Sequence, residues 1–295
     1  MSKAKPFIKW VGGKGQLIEQ LEELLPTDFE NWENVTYIEP FVGGAAMLFY
    51  MLQNHSNIQH AIINDINPKL TTCYQIIKDK PAQLITSLFS IQQEYYNLSS
   101  EEAKKEFFLD QRKAFNRELD SLEMVTLFIF LNRTCFNGLY RENKNGDFNV
   151  PFGKYSAPTI CDADTIMRDS ELLQNVEILT GDYRQTIDYA QGNTLFYFDP
   201  PYRPLSNTSS FNDYTKQPFN DNAQIQLKEF CDKVNKLGYS FMLSNSDCMG
   251  KGGDPFFDHL YADYHIERVW AKRNVNADAS KRGKLTEILV HNYLI

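Results

Sequence analysis

Four consecutive residues in the C-terminal half have the types needed to hold a planar amino group. Asp199-Pro200-Pro201-Tyr202 directly follows an apolar run, 194–198, that is typical of a buried strand. The two prolines remove two backbone donors, which leaves carbonyl oxygens and the Asp199 carboxylate to accept N–H bonds. Accepting both hydrogens of an exocyclic amine favours the pyramidal form that attacks an electrophilic methyl group, and Tyr202 offers a flat face for a base. The pattern therefore predicts methylation of an amine; the alternative is a proline-rich strand exit with a capping aspartate.

A glycine turn in the N-terminal part could bring the backbone close to a cofactor. The turn, 39–44, reads Glu-Pro-Phe-Val-Gly-Gly between a predicted strand and a helix, and Asp65 ends the next strand. An acidic residue about 20 positions after such a turn can accept hydrogen bonds from ribose hydroxyls. The full G-x-G-x-x-G pattern is absent, so an adenosine-bearing ligand other than a dinucleotide is expected. The alternative is a pair of turn glycines and a capping aspartate.

Strands and helices must position these residues, and the hydrophobic pattern predicts where they lie. Strand and helix patterns alternate up to about residue 70 and again after residue 162. Such alternation predicts an α/β fold with a mostly parallel, doubly wound sheet. Its ligands bind beyond the carboxyl ends of the strands, where the chain direction across the sheet switches.

The segment between these two parts has a different pattern. Residues 71–161 are mainly helical and aromatic, which predicts an inserted module within a domain made of 1–70 and 162–295. Within the module, Asn145-Gly146 favours a tight turn because both residues tolerate positive φ. We therefore expect a β-hairpin over about 138–150.

Composition excludes several classes of protein. The 295 residues, 42% of them hydrophobic, can bury a proper core, but no run reaches the roughly 18 apolar residues of a membrane helix. The N-terminus lacks a secretory signal, so we expect a cytoplasmic protein without membrane contact. The five cysteines have no C-x-x-C spacing and the five histidines no H-E-x-x-H pattern, so free thiols and no metal are predicted.

The charge pattern bears on nucleic-acid binding. A net charge of -8 counts against DNA binding when averaged over the molecule, because duplex affinity comes largely from lysine and arginine. Basic residues nevertheless cluster near the N-terminus, between residues 133 and 154, and over 268–284. Each cluster alone could be a solvated surface.

Seven sequence blocks taken in order give the chain a family resemblance. It resembles the Dam-type, alpha-class DNA adenine-N6 methyltransferases that recognise GATC, including those of DpnII-like restriction-modification systems. The resemblance spans nearly the whole chain and rests on Lys9-Trp10-x-Gly12-Gly13-Lys14, Glu39 to Gly44, Asn64-Asp65-Ile66-Asn67, Phe136 to Arg141, Phe148 to Gly153, Asp199 to Tyr202 and Leu243-Ser244-Asn245.

The resemblance implies a Rossmann-like sheet that binds S-adenosyl-L-methionine, the methyl donor that becomes S-adenosyl-L-homocysteine, without a metal. It makes 71–161 the target-recognition domain and Asp199, Pro200 and Tyr202 the catalytic residues. The cofactor-binding residues that it implies are Trp10, Lys14, Phe41, Gly43, Asp65, Asp182 and Asp199.

For DNA, the resemblance implies a major-groove hairpin that reads GATC. Arg141 suits a bidentate contact to guanine O6 and N7, while Leu139 and Pro151 suit a thymine methyl group. Lys9 would contact the other guanine, and Phe136 would wedge into the duplex where the adenine flips out. Asn137 belongs to the same loop, and Lys154 stands where arginine is common in the family. The basic segment from Arg268 to Lys284 would lie along the DNA backbone.

Alternatives remain at this point. The chain could methylate cytosine N4, an RNA adenine or a protein glutamine amide, although Asp199 and the long inserted module favour adenine in duplex DNA. It could also be a catalytically silent DNA-binding specificity subunit, but neither the Asp-Pro-Pro-Tyr block nor the glycine turn is degraded. A nucleotide-dependent oxidoreductase would need the fuller glycine pattern. The expected partners are GATC-containing duplex DNA and, in a restriction-modification system, a cognate endonuclease; we expect a monomer or weak dimer.

Overall fold

The structure, a computed structural model, describes residues 3–15, 17–203, 219–272 and 284–295. The strands are β1 (Val35–Glu39), β2 (Ile58–Asp65), β3 (Val176–Thr180), β4 (Thr194–Phe198), β5 (Ser240–Ser246), β6 (His265–Lys272) and β7 (Lys284–His291). The α-helices are α1 (Ile18–Glu22), α2 (Ala46–Asn54), α3 (Pro68–Asp79), α4 (Pro81–Tyr96), α5 (Glu101–Phe115), α6 (Ser121–Thr134), α7 (Ala163–Leu173), α8 (Asp221–Lys236), α9 (Cys248–Gly252) and α10 (Phe256–Leu260). None of the helices within these described ranges is both long and apolar enough to cross a membrane.

The strands form a mixed seven-stranded sheet in the order β3-β2-β1-β4-β5-β7-β6. β1 pairs in parallel with β2 and β4, and β4 pairs in parallel with β5. All five residues of β1 and of β4 are buried, as expected for strands covered on both faces. The predicted doubly wound α/β sheet is confirmed, and its switch point lies between β1 and β4, where the chain first crosses one way and then the other.

The C-terminal strands depart from the parallel arrangement. β7 lies between β5 and β6 and is antiparallel to both. The predicted final pair of strands is therefore a β6–β7 antiparallel ladder at one edge of the sheet.

The described chain divides into two compact units. The first unit contains residues 1–13, 43–54 and 65–181, and the second contains 14–42, 55–64 and 182–295. The module predicted at 71–161 falls within the first unit and is mainly helical, as expected. Its core includes T-shaped contacts of the Phe130 ring with Tyr95 and Phe107, at centroid distances of 5.8 and 5.6 Å.

The predicted hairpin over 138–150 is present as a chain reversal without a named strand. Its ladder is reduced to an isolated antiparallel bridge between Glu142 and Phe148. The turn also differs from the expected two-residue type: Asn143 N donates to Asp147 O at 2.8 Å, and of Asn145 and Gly146 only Gly146 has positive φ, +87°. A three-residue loop that ends in a left-handed glycine explains this, and the Asn143 side chain stabilises it by accepting from Asp147 N.

Candidate active site

The first group of predicted site residues lies in the second unit, just beyond the carboxyl end of β4. The Asp199 carboxylate is 3.1 Å from the Lys14 ammonium, and that ammonium is also 3.1 Å from the Glu287 carboxylate. The Tyr202 hydroxyl donates to Glu287 at 2.6 Å and accepts a short hydrogen bond from Lys14. Lys14 is only 4% exposed, so its charge is balanced almost entirely by these side chains. The structure thus brings Lys14, Asp199 and Tyr202 together.

Burial shifts the protonation of the carboxyl groups here. Burial raises the pKa of Asp199 to about 6, although the nearby Lys14 ammonium opposes that shift. Burial also raises the pKa of Glu39, at the end of β1, to about 8, and the hydrogen bond from the Tyr37 hydroxyl at 2.8 Å only partly offsets it. At neutral pH Asp199 is therefore mostly the acceptor-only carboxylate, whereas Glu39 holds a proton.

A second group of predicted residues lies in the first unit. The Asp65 carboxylate accepts hydrogen bonds from Gly43 N at 3.2 Å and from Asn67 N at 2.9 Å. Burial raises the pKa of Asp65 to about 6, against the effect of these backbone donors. The Trp10 ring stacks on Tyr140 at a centroid distance of 5.7 Å. The structure therefore places Trp10, Gly43 and Asp65 in one neighbourhood.

Gly43 is required there for two reasons. Its φ of +48° is unfavourable for other residues, and a Cβ at this position would lie 3.0 Å from Trp10 Cδ1. The Tyr74 hydroxyl donates to Gly43 O at 2.6 Å and fixes the turn from the other side. The turn thus lies close to the Trp10 ring.

Phe41 and Asp182 belong to the second unit. The Phe41 ring packs against Tyr183 at 4.9 Å. Asp182 is the N-cap of the 3₁₀ helix Tyr183–Tyr189, and both its oxygens bind the Arg184 guanidinium, at 2.8 and 2.5 Å. The pKa of Asp182 is lowered mainly by the hydrogen bond from Arg184. Its carboxylate is therefore engaged locally, so any cofactor contact would have to compete with Arg184.

The residues predicted to read DNA all lie in the first unit. The Phe136 ring is 51% exposed, and Asn137 adopts a left-handed conformation with φ of 55°. The Arg141 Nε donates to Asn149 at 2.7 Å, which orients the guanidinium of this exposed residue. Leu139 is half-buried and Pro151 is exposed. The Lys9 ammonium lies 4.8 Å from the Tyr155 ring centroid, and Lys154 forms an ion pair with Glu101 at 3.0 Å.

The basic segment predicted to follow the DNA backbone is described only in part. Arg273, Lys281 and Arg282 lie outside the described residues. Arg268, on β6, pairs with Asp258 at 2.7 Å and with Asp247 at 3.3 Å. These contacts anchor Arg268 within the second unit.

Sequence reasoning missed three polar residues at these sites. Glu287 contacts Lys14 and Tyr202, and the only sequence signal for it is a charged residue in the apolar run of β7. Buried Asn132 on α6 accepts from Lys9 N at 2.8 Å and donates to Gly138 O at 2.9 Å. Buried Gln224 on α8 donates to Pro201 O at 3.1 Å. Nothing in the sequence pattern distinguishes Asn132 or Gln224 from ordinary helix residues.

One cluster of possible metal ligands occurs among the described residues: Glu22, Glu30 and His55. Glu30 contacts Nδ1 of the imidazole at 2.7 Å, and Glu22 contacts Nε2 at 3.1 Å. The two carboxylates therefore bind opposite edges of the ring. One ligand atom from each of the three residues nevertheless lies within 4.8 Å of the others.

The described residues offer the donors and acceptors that an adenosine-bearing cation would need. Asp65 presents a carboxylate at the end of β2, and Ile66 beside it is 60% exposed and can cover a flat ring. The Trp10 face suits a sulfonium or an adenine, whereas the Lys14 ammonium, in the second unit, is already paired with Asp199 and Glu287. The chemistry of this residue set therefore fits S-adenosyl-L-methionine.

Fold and site together define a class: an α/β methyltransferase with an Asp-Pro-Pro-Tyr loop at the switch point of its sheet. Residues 10–275 match the family of D12 class N6 adenine-specific DNA methyltransferases, and the chain belongs to that family. It is 45% identical over 295 residues to the type II methyltransferase M.MjaIII of Methanocaldococcus jannaschii, covering 99% of this chain and 100% of that protein.

Two further relatives are DNA adenine methylases. The methylase from Vibrio cholerae is 32% identical to this chain over 290 residues, and the alignment covers 98% of this chain and 96% of that protein. The methylase from Escherichia coli K12 is 29% identical over 292 residues, and the alignment covers 98% of this chain and 95% of that protein. Family membership confirms the predicted enzyme class, with DNA as substrate and S-adenosyl-L-methionine as methyl donor.

Proposed function

We propose that this enzyme methylates N6 of an adenine that is flipped out of duplex DNA, within the sequence GATC. The observation that carries the catalytic part is the partly buried Asp199 carboxylate at the carboxyl end of β4, next to two prolines that offer no N–H donors. A duplex hides N6 among stacked bases, so the base must leave the stack to reach such a pocket.

The chain's own residues then act on the amine. Asp199 accepts one N–H of the amine, and a backbone carbonyl of the prolines accepts the other, which localises the nitrogen lone pair. Tyr202 stacks on the base, and the Lys14 ammonium favours the charged form of the Asp199 carboxylate. When bound, S-adenosyl-L-methionine supplies an electrophilic methyl group at this place.

For the cofactor, we propose the contacts that the family resemblance implies. Asp65 would bind the ribose hydroxyls and Ile66 would cover the adenine, while Gly43 and Phe41 shape the pocket. Trp10 would pack near the adenosine or the sulfonium, and Lys14 and Asp199 would face the methionine part. Asp182 would contact the cofactor after release from Arg184.

For the DNA, we propose 71–161 as the target-recognition domain, with the catalytic domain formed by 1–70 and 162–295. Arg141 and Lys9 would contact the two guanines of GATC, and Leu139 and Pro151 a thymine methyl group. Phe136, half-exposed, has the size and exposure of a wedge residue, with Asn137 beside it. Lys154 would contact phosphate.

The biological setting is also a proposal. The relative from M. jannaschii is called a type II methyltransferase, whereas the V. cholerae and E. coli relatives are called DNA adenine methylases. Either a restriction endonuclease accompanies this enzyme or it acts alone, as a monomer or weak dimer. All five cysteines are free, as is usual in a reducing cytoplasm.

Methyl transfer from labelled S-adenosyl-L-methionine to duplexes containing GATC, GATT or neither tests the proposal. We expect N6-methyladenine in the GATC duplex alone, identified by nucleoside analysis. Label on adenine in other sequences would overturn the GATC assignment and leave the catalytic one. Label on cytosine or on RNA would support the alternative substrates, and no label on any of them would point to a silent binding protein.

A further inference from the structure

A buried polar network in the second unit fixes the backbone just after the catalytic aspartate. Gln224, on α8, is 0% exposed and its Nε2 donates to Pro201 O at 3.1 Å. Its Oε1 accepts from Asn245 Nδ2 at 3.1 Å, and Asn245, on β5, is also 0% exposed. One amide thus connects the helix, the strand and the loop.

The same strand end binds the next residues of the loop. Asn245 Oδ1 accepts from Arg203 N at 3.4 Å and from Ser246 N at 2.9 Å. The Ser246 hydroxyl donates to Arg203 O at 2.9 Å. The backbone is therefore held on both sides of Tyr202, by a carbonyl before it and by both peptide groups of the residue after it.

The Arg203 side chain adds an ionic clamp. Its guanidinium contacts Asp221 at the start of α8 at 2.7 Å and Asp254 at 2.5 Å, and lies 4.4 Å from the Phe256 ring centroid. The side-chain hydrogen bond to Asp221 is the main cause that raises the pKa of Arg203. The loop, residues 199–203, is thus tied to α8 twice, through Gln224 and through Asp221.

These contacts matter because the two prolines limit how the backbone of the loop can be held. Pro200 and Pro201 have no N–H to donate, so the loop cannot be fixed by ordinary backbone pairing at those positions. An amide that donates to Pro201 O uses one of the two lone pairs of that carbonyl. Pro200, whose carbonyl is the other proline acceptor of the loop, directly follows Asp199 in the sequence.

We propose that Gln224 is a positioning residue for methyl transfer: it fixes the 199–203 loop so that Asp199 and the Pro200 carbonyl form one acceptor pair for the amine. This inference rests on the proposed function, in which that pair binds adenine N6. Gln224 itself does not touch the substrate. Its effect should therefore appear in the rate of the chemical step and not in substrate binding.

Two substitutions separate the donor from the acceptor role of Gln224. Gln224→Met keeps the size but can neither donate to Pro201 nor accept from Asn245. Gln224→Glu keeps an acceptor for Asn245, and its carboxyl group donates to Pro201 only when protonated. Gln226→Glu, two residues along α8 at an exposed position, is the matched control for the added charge.

The first measurement is steady-state kinetics with GATC duplex over a range of pH. We expect Gln224→Met to lower kcat about 10²-fold, as for a small misplacement of a reacting group, while KM for cofactor and DNA changes little. The ratio of the Gln224→Glu kcat to the wild-type kcat at the same pH should rise as the pH falls, because its protonated carboxyl group replaces the amide donor. A purely structural role would instead lower the amount of folded enzyme and leave kcat per folded molecule unchanged, and wild-type kcat in Gln224→Met would overturn the proposal.

The second measurement does not depend on activity. Hydrogen exchange followed by mass spectrometry, on the full-length protein, should show faster exchange of the Tyr202 and Arg203 amides in Gln224→Met than in wild type or Gln226→Glu. Unchanged exchange would overturn the positioning role. If wild type transfers no methyl group to DNA, the proposed function fails, whereas faster exchange in the variant would still support the loop contact.

Discussion

At the scale of single residues, the protonation of Asp199 sets the pH dependence of the reaction. Its pKa is raised by burial to about 6, so below that pH the carboxyl group carries a proton and one oxygen no longer accepts an N–H bond. We expect kcat at saturating cofactor to fall about tenfold for each pH unit below about 6. The measurement is a pH profile of single-turnover methyl transfer.

Asp199→Ala provides the matching test of the residue itself. Its kcat should be lower by about 10²–10³-fold at pH 8, because the acceptor for the developing charge is gone. The exposed Asp188→Ala, in the same unit, is the control and should keep the wild-type rate. A wild-type rate in Asp199→Ala would contradict the mechanism.

Arg141 belongs to the same scale, since one guanidinium is proposed to read one guanine. Its Nε donates to Asn149, which leaves the two Nη groups as the donors that can bind O6 and N7 together. Arg141→Ala should reduce discrimination at one guanine by ~1–3 kcal/mol, measured as the ratio of kcat/KM for GATC and singly substituted duplexes. Arg141→Lys should lose nearly as much, because lysine keeps the charge but not the bidentate geometry.

The control for this prediction is Lys144→Ala, an exposed lysine in the loop of the same chain reversal. It should weaken binding to all sequences alike, if it has any effect. The same uniform loss in Arg141→Ala would identify Arg141 as a phosphate contact.

At the scale of elements, the first unit joins its N-terminal segment to the loop after α6 through one buried amide. Asn132 Oδ1 accepts from Lys9 N, and Nδ2 donates to Lys9 O and Gly138 O at 2.8 and 2.9 Å. Gly138 must be glycine, since its φ is +63° and a Cβ would lie 2.6 Å from Lys9 Cβ. The two segments thus pack too closely to move independently.

Asn132→Asp tests that connection. The carboxylate can still accept from Lys9 N, but it cannot donate to either carbonyl, so we expect a loss of about 1–3 kcal/mol in stability. We also expect weaker preference for GATC over single-mismatch duplexes in methylation assays. Asn97→Asp, exposed in the same unit, controls for the charge. Unchanged preference, with the expected loss of stability, would show that the amide supports the fold alone.

Much of the element level follows from local pattern. The buried runs of β1 and β4 and the position of Asp199 after β4 were predictable because a continuous apolar run that ends at a polar block is typical of a central strand. The polar partners of that block were not predictable. Glu287 and Gln224 reach it from distant parts of the chain, and single-sequence pattern contains no information on which helix face or strand register will meet a given loop.

The turn at Asn145-Gly146 shows a different limit. The dipeptide fits several hairpin loops, and the choice between two and three loop residues depends on how the flanking chain packs. Here Asn116, on the distant α5 end, binds both Phe148 N at 2.9 Å and Phe148 O at 3.1 Å. That tertiary contact, and not the turn residues, fixes the register of the returning chain.

At the scale of the whole molecule, net charge and the placement of basic residues have to be considered together. The chain carries a formal charge of -8 and yet belongs to a family that acts on DNA. Several basic side chains are paired internally, among them Lys14, Arg203 and Arg268. Phosphate contacts must therefore come from the exposed basic side chains, and the salt dependence of binding should scale with the number of phosphates that they neutralise.

Buried carboxyl groups also give the folded molecule a distinct stability profile. Asp169, on α7, is 0% exposed and accepts one hydrogen bond, from Lys5 N at 3.2 Å, while its Oδ2 has no partner among the described residues. Burial raises its pKa to about 8. Because the folded pKa exceeds the unfolded one, the folded state binds the proton more tightly. The stability that this tighter proton binding contributes is fully present below about pH 4. It is lost progressively as the pH rises and is gone above about pH 8.

Asp169→Asn should remove that pH dependence, because the amide stays neutral. Between pH 5 and 8 the wild-type protein should lose about 1.4 kcal/mol of stability per pH unit relative to the variant, as measured by urea unfolding. The variant should therefore be the more stable of the two at pH 8, with the difference shrinking towards pH 5. Asp164→Asn, exposed on the same helix, is the control and should follow the wild-type curve. Parallel curves for all three proteins would mean that Asp169 is ionised in the folded state, in which case the buried Oδ2 must have a partner such as an internal water.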